Sequence, residues 1–276
     1  MSRKVILTEE EKNKIKKLHR IDEQSFIDNA IKSALGDLFK IKGVDSLIQK
    51  DTVTSTTNVT NDDISVENGK VKVMGNFDGE QLKNISLLIE KMNEFGIKDP
   101  YAQIGILSVI NKECNFKPKG EVSYANTSNA RIRKLFGKRV SKFNDSQLDN
   151  LKKNDKQFFN VIYAKTVGNQ GGDDGWNYRG RGFNQLTGIK NYEKYGNMIG
   201  MGNKLVENPE LVNDPEIAAK IAIAFFTKNK PVSSIPDFKS KEEAAGYFAD
   251  VNSGGGSSSH RDHAIEKSAN FDIQVT

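Results

Sequence analysis

The stretch that decides how this chain is read is Gly171-Gly-Asp-Asp-Gly-Trp-Asn-Tyr-Arg-Gly-Arg-Gly-Phe-Asn-Gln-Leu-Thr-Gly188. It holds the chain's one tryptophan together with a tyrosine, two arginines and six glycines. Glycine at that density excludes a regular helix, while it lets the backbone turn sharply and approach a ligand closely. Trp176 and Tyr178 offer flat faces of the kind on which sugar rings or bases stack, and Gln185 and Thr187 add hydrogen-bonding groups. Arg179-Gly-Arg-Gly182 also has the look of an arginine–glycine nucleic-acid motif. One copy is poor support for that, and nucleic acid is not expected as a partner.

Working outward, residues 101–113 contain Ile104, Ile106, Leu107, Val109 and Ile110. A helix apolar nearly all round belongs in the middle of a core. It ends at Glu113, a position where desolvation is expected to favour a protonated carboxyl, as a general acid near neutral pH requires. Eight residues on, past Pro118 and Gly120, comes Glu121, near enough in sequence to face Glu113 across a cleft and to divide acid and base roles with it. Taken alone, the two are better read as surface glutamates at a helix end, since charged residues are usually exposed. Before this segment, Leu82, Ile85, Leu88, Ile89 and Met92 recur at helical spacing. After the glycine-rich stretch, Asp214-Pro215-Glu216 opens a further helix whose Ile217–Phe226 run is apolar enough to be core.

Composition narrows the class. The chain has 276 residues, 36% of them hydrophobic and 28% charged, with a formal charge of +5. That is long enough for one catalytic-scale domain with something attached. The basic balance points to an anionic partner: nucleic acid, a membrane surface or a bacterial wall polymer. No apolar run approaches the ~18 residues of a spanning helix, and the N-terminus lacks the apolar core of a secretory signal, so neither a membrane span nor Sec export is expected. The single cysteine, Cys114, excludes an internal disulfide framework and reads as a small packed residue rather than a nucleophile. His260 and His263 lack a partnering cluster with metal-site spacing, so no metal and no cofactor are expected.

The Gly175–Gly188 core, followed by Asn191-Tyr192 and Tyr195-Gly196, is similar to the signature of glycoside hydrolase family 19, the chitinases and their lysozyme-like relatives among bacteriophage endolysins. Three further stretches agree in order. Lys112-Glu113 through Phe116 resembles the family's acid motif, Glu207–Pro215 resembles the entry to a core helix, and Asn252-Ser-Gly-Gly with Arg261 resembles the Asn-Gly-Gly…Arg motif. The resemblance spans roughly residues 80–270. It implies a mainly α, two-lobed lysozyme-like domain in which Glu113 protonates the glycosidic oxygen, Glu121 activates water and the anomeric carbon is inverted. Inversion needs carboxyls about 6.5–9.5 Å apart, with room for a water between them. Thr187 stands where the family holds that water. Gln185, Asn191 and Asn252 stand at sugar-binding positions, with Tyr124, Trp176 and Tyr178 assigned to the same substrate-binding group, and Arg261 would pair with the carboxylates. Departures are Lys112 for the usual histidine, Cys114-Asn115 for Gly-Gly, and Ser253 interrupting Asn-Gly-Gly.

The short acid-to-base spacing resembles the phage enzymes more than the plant chitinases, and the positive charge suits an anionic wall polymer. Peptidoglycan is therefore the expected substrate, with a chitinase, or a non-catalytic wall-binding protein that keeps the fold, as rivals. The expected route is synthesis in a host cytoplasm and delivery to the wall by holin-type release or as a virion component. Three parts are expected: a helical segment over 1–48 that docks to a virion or baseplate or targets the wall, a Ser/Thr-rich linker with a small β-hairpin around Asn68-Gly69 over 49–79, and the hydrolase domain over 80–276.

Overall fold

The computed structural model describes residues 71–227, 231–255 and 258–273. The expected N-terminal helical segment, the linker and the first arm of the expected hairpin lie outside the described residues. The described part is mainly α. Strand β1 (Val71–Val73) leads into α1 (Gly79–Glu94), α2 (Pro100–Cys114), α3 (Asn129–Phe136), α4 (Asp145–Lys152), α5 (Asp155–Ile162) and α6 (Asp174–Asn177). Then come α7 (Ile189–Met198), α8 (Lys204–Glu207), α9 (Pro215–Thr227), α10 (Lys241–Ser253), α11 (Ser258–Ser268) and β2 (Phe271–Ile273).

The second arm of the expected hairpin is a strand, and one of its edges is taken by the C-terminal end of the described residues. Val71–Val73 pairs antiparallel with β2, Val71 opposite Ile273 and Val73 opposite Phe271. Burial explains the choice: Val71, Val73 and Phe271 all leave solvent in the main core, and a three-residue strand is held by that packing more than by its hydrogen bonds.

Helix α2 is the axis of this core. Asp99 caps it by accepting from the Ala102 backbone, with Pro100 in the first turn. Ala102 through Asn111 are then buried without a break, as the all-round apolar pattern predicts. Gly105 shows why the neighbouring helix comes so close: a Cβ there would sit 2.7 Å from the carbonyl carbon of Ala244 on α10. α10 and α11 pack against α2, and α1 lies against α9. Each fully buried Ile or Leu in this cluster stabilises the fold by about 1.5–3 kcal/mol. A second cluster gathers Tyr178, Tyr192 and Tyr195 with Val212 and Ile221. A third, built by α3, α4 and α5, includes Phe158 and Phe159, and the aromatic rings of Tyr124, Phe136, Tyr163 and Trp176 pack against it.

Candidate active site

The last turn of α2 leaves the core and presents Glu113 near solvent, its side chain 27% exposed. Past Ile110 the helix's apolar faces end, and the groups that cover this carboxylate are polar. Oε1 accepts from Lys112 Nζ and, at 3.0 Å, from Asn252 Nδ2 on α10. Lys112 Nζ in turn lies 2.7 Å from His260 Nδ1 on α11, and that ring nitrogen is 3.9 Å from Glu113 Oε1. His260, an exposed residue, is a neighbour of the candidate acid. Nothing in its local sequence announces this, since α11 is brought there by tertiary packing.

Beyond Glu113 the chain turns through two consecutive left-handed residues, Asn115 (φ 51°) and Phe116 (φ 59°). Neither is glycine, so the turn is strained unless its surroundings fix it. They do. Gln81 Nε2 donates to the Asn115 carbonyl at 3.0 Å, Asn84 Nδ2 to the Phe116 carbonyl at 2.7 Å, and Asn111 Nδ2 to Asn115 Oδ1 at 2.9 Å. The Phe116 ring is wholly buried, edge-on to Phe77 and Phe271. The segment leading from Glu113 towards Glu121 thus starts from a pinned geometry.

Glu121 is held from three sides. Its Oε1 accepts from the Tyr124 hydroxyl at 2.8 Å and the Tyr163 hydroxyl at 3.0 Å, while Oε2 receives a longer 3.3 Å contact from the Gly180 backbone N–H. Its own N–H donates to the Gly180 carbonyl at 2.8 Å. Burial, followed by the negative charge of Glu121, pushes both phenols well above the ordinary tyrosine range, so they remain hydrogen donors throughout any working pH. Gly180 is glycine for a reason: a Cβ there would stand 2.8 Å from Gln185 Oε1 and 3.3 Å from Glu121 Oε2. Gln185, itself left-handed at φ 52°, donates to the Lys119 carbonyl at 2.9 Å and so ties the glycine-rich stretch to the loop before Glu121.

Other expected site residues have different employment. The Thr187 hydroxyl donates to the Gln185 carbonyl, and Asn191 donates to the Thr187 carbonyl, so both brace the turn. Tyr124 serves Glu121 with its hydroxyl and packs its ring edge-on to Phe136. Tyr178 is not a stacking face: it is buried against Tyr192 with its hydroxyl on the Val206 carbonyl. One face of Trp176 is covered by the Arg179 guanidinium, 3.7 Å from the ring centroid. Arg261 pairs with Asp250, not with either glutamate; both sit on the α10–α11 side, where Gly246 leaves space for the guanidinium. Cys114 is buried, its thiol pushed up to about 12 by burial, which agrees with a packed residue.

The arginines of the glycine-rich stretch turn inward. Arg181 is 1% exposed and donates to the Asn177 carbonyl, the Tyr192 hydroxyl and Glu210. Its hydrogen bond holds Glu210 below the usual carboxylate range. Among the described residues no group of three His, Cys, Asp or Glu is placed to hold a metal ion, and no helix is long and apolar enough to cross a membrane.

Residues 152–247 match the family described as chitinase class I, glycoside hydrolase family 19. Over 58 residues, a fifth of this chain, the sequence is 52% identical to the acidic 26 kDa endochitinase of Solanum lycopersicum. It is 50% identical over the same length to the acidic endochitinase pcht28 of Solanum chilense, and 33% identical over 69 residues to a glycosyl hydrolase family 19 domain-containing protein of Haemophilus influenzae. The chain spans 23% of the length of either plant protein and 33% of the bacterial one. This segment is what resembles glycoside hydrolase family 19. The matched range contains Tyr163, Gly180 and Gln185 and begins after both candidate carboxylates.

Proposed function

We propose that this chain is a glycoside hydrolase that cleaves the β-1,4 bonds between the N-acetylated amino sugars of peptidoglycan by single displacement. The observation that carries this reading is convergence. The stretches singled out for their resemblance, 112–116, 175–188 and 252–261, lie far apart in sequence, yet the first supplies Glu113, the second contacts Glu121 through Gly180, and the third contacts Glu113 through Asn252. Glu113 is the proton donor to the leaving oxygen, its carboxyl oriented by Asn252 and Lys112. Glu121 is the base. With Oε1 occupied by two phenols, Oε2 carries only the long Gly180 contact and is the oxygen free to take a proton from water.

Peptidoglycan rather than chitin is favoured by net charge and by the eight-residue spacing of the two glutamates. On the same grounds we place the protein among phage or prophage lysins, released to the wall at lysis or carried on the virion, with residues 1–48 as the docking or targeting segment. The similarity to endochitinases favours the second reading, a chitinase. Digestion of purified peptidoglycan and of chitin oligomers, with fragments identified by mass spectrometry, separates the two. Wild type should release new reducing ends from peptidoglycan, and Glu113→Gln should lose on the order of 10²–10⁴-fold in turnover with an unchanged melting temperature. More than a few per cent of residual activity in that variant would remove Glu113 from the role of acid.

A further inference from the structure

Residues 129–143 hold six cations, Arg131, Arg133, Lys134, Lys138, Arg139 and Lys142, and no carboxylate. Residues 81–276 carry 28 Lys+Arg against 22 Asp+Glu, an excess of six. One stretch of α3 and the turn after it is thus as unbalanced as that whole part of the chain. Ile132 and Val140 are buried and Phe136 packs on the aromatic cluster, which leaves Arg131, Lys134, Lys138 and Arg139 exposed. Arg133 is paired with Asp145; among the described residues the other five cations have no carboxylate within ion-pairing distance. Solvated helix faces ordinarily intersperse the two signs, because like charges one turn apart repel.

The patch borders the candidate base. The Arg139 guanidinium carbon is 6.0 Å from the ring centroid of Tyr163, whose hydroxyl holds Glu121. Arg131 acts electrostatically on Tyr124, the other phenol on that carboxylate. By contrast Arg179 and Arg181 are turned inward, with Glu210 as their counter-ion, and are not available to a ligand.

We propose that this face of α3 and its following turn binds the peptide-stem carboxylates of the glycan strand being cut. The inference rests on the peptidoglycan reading of the site. It deepens that reading by assigning the discrimination against chitin, which bears no such charges, to Arg131, Arg139 and their neighbours rather than to the groups around the scissile bond. Attraction of this kind falls with ionic strength and acts on encounter and affinity more than on the chemical step.

The test uses the full chain and three soluble substrates: murein strands with stems, the same strands stripped of stems by an amidase, and stem-bearing strands from walls freed of phosphate polymers. Arg131→Glu with Arg139→Glu should raise the apparent KM for stem-bearing strands roughly tenfold with kcat little changed, and added salt should bring wild type to the same level. The ratio of stem-bearing to stripped turnover should collapse in that variant. The milder Arg131→Gln with Arg139→Gln pair, checked by thermal melting, should give an intermediate ratio. An unchanged KM in both variants, or an equal loss on stripped strands, overturns the proposal. So does a loss that vanishes once phosphate polymers are removed, which would make those polymers the ligand. Wild type that cuts none of the three strand preparations would instead overturn the peptidoglycan reading itself.

Discussion

The two candidate carboxylates are held in opposite ways. Glu113 rides on the well-packed central helix α2, yet its immediate partners are a half-buried lysine, an exposed histidine and the Asn252 amide. Glu121 sits in an irregular segment, yet it is gripped by two phenols anchored in an aromatic cluster and by backbone groups of a glycine-rich turn. Regular secondary structure fixes where a Cα is. It is the partners of the carboxyl group that fix where its oxygens are, and by that measure the candidate base is the preorganised half and the candidate acid the adaptable one. Such a division suits the chemistry, since an activated water must be aimed while a proton donor has to follow the leaving oxygen.

The comparison breaks most visibly at the phenols. Tyr124→Phe with Tyr163→Phe strips Glu121 Oε1 of both donors, and the double variant should lose about 100-fold in kcat, with each single variant losing much less because the other phenol remains. Measured kcat values for the four proteins give the coupling directly. A double variant with wild-type kcat would mean that the phenols do not position the base. On the acid side Asn252→Ala should cost roughly tenfold or less, because Lys112 still reaches Oε1. A loss larger than that of the phenol pair would reverse the assignment of which half is preorganised.

The same contrast explains what was legible beforehand. Helix α2 and its terminal Glu113 could be read because apolar residues on all sides of a helix leave one packing solution. The glycine-rich stretch was legible through its resemblance, and Gly180 and Gln185 do lie beside Glu121. Between 122 and 170, however, α3, α4 and α5 are eight residues each, too short for periodicity to declare them, and they are stabilised by a shared aromatic cluster. Tyr163 therefore carries no signal in its local sequence. Its meaning depends on a hydrogen bond to a residue 42 positions away. Tyr178 erred the other way: an aromatic in a glycine-rich loop was read as a sugar platform, whereas the loop folds so that this ring completes a core. Arg261 was assigned to the carboxylates on resemblance alone, and Asp250, one helical partner away, claims it instead.

The smallest expected effect tests whether the base side owes its rigidity to the buried charge beneath it. Arg181 donates to the carbonyls of Asn177 and Arg179, the latter immediately before Gly180, and Glu210 is its carboxylate partner among the described residues. Glu210 is held below its ordinary value of 4.5, first by the hydrogen bond from Arg181. A folded-state carboxyl so depressed stabilises the fold fully above that ordinary value and loses the contribution as pH falls through the folded one. Glu210→Gln should therefore lower the melting temperature at neutral pH by the equivalent of about 1 kcal/mol, the Glu210 side chain being well exposed, and the gap from wild type should narrow below about pH 4.5. Turnover should fall a few-fold with no change in how Asn252→Ala behaves, because the disturbance reaches Gly180 and Glu121 but not Glu113. A gap that stays constant from neutral pH to well below 4 would mean that Arg181 does not need the Glu210 charge, and the base half would then owe its geometry to the phenols and the glycine turn alone.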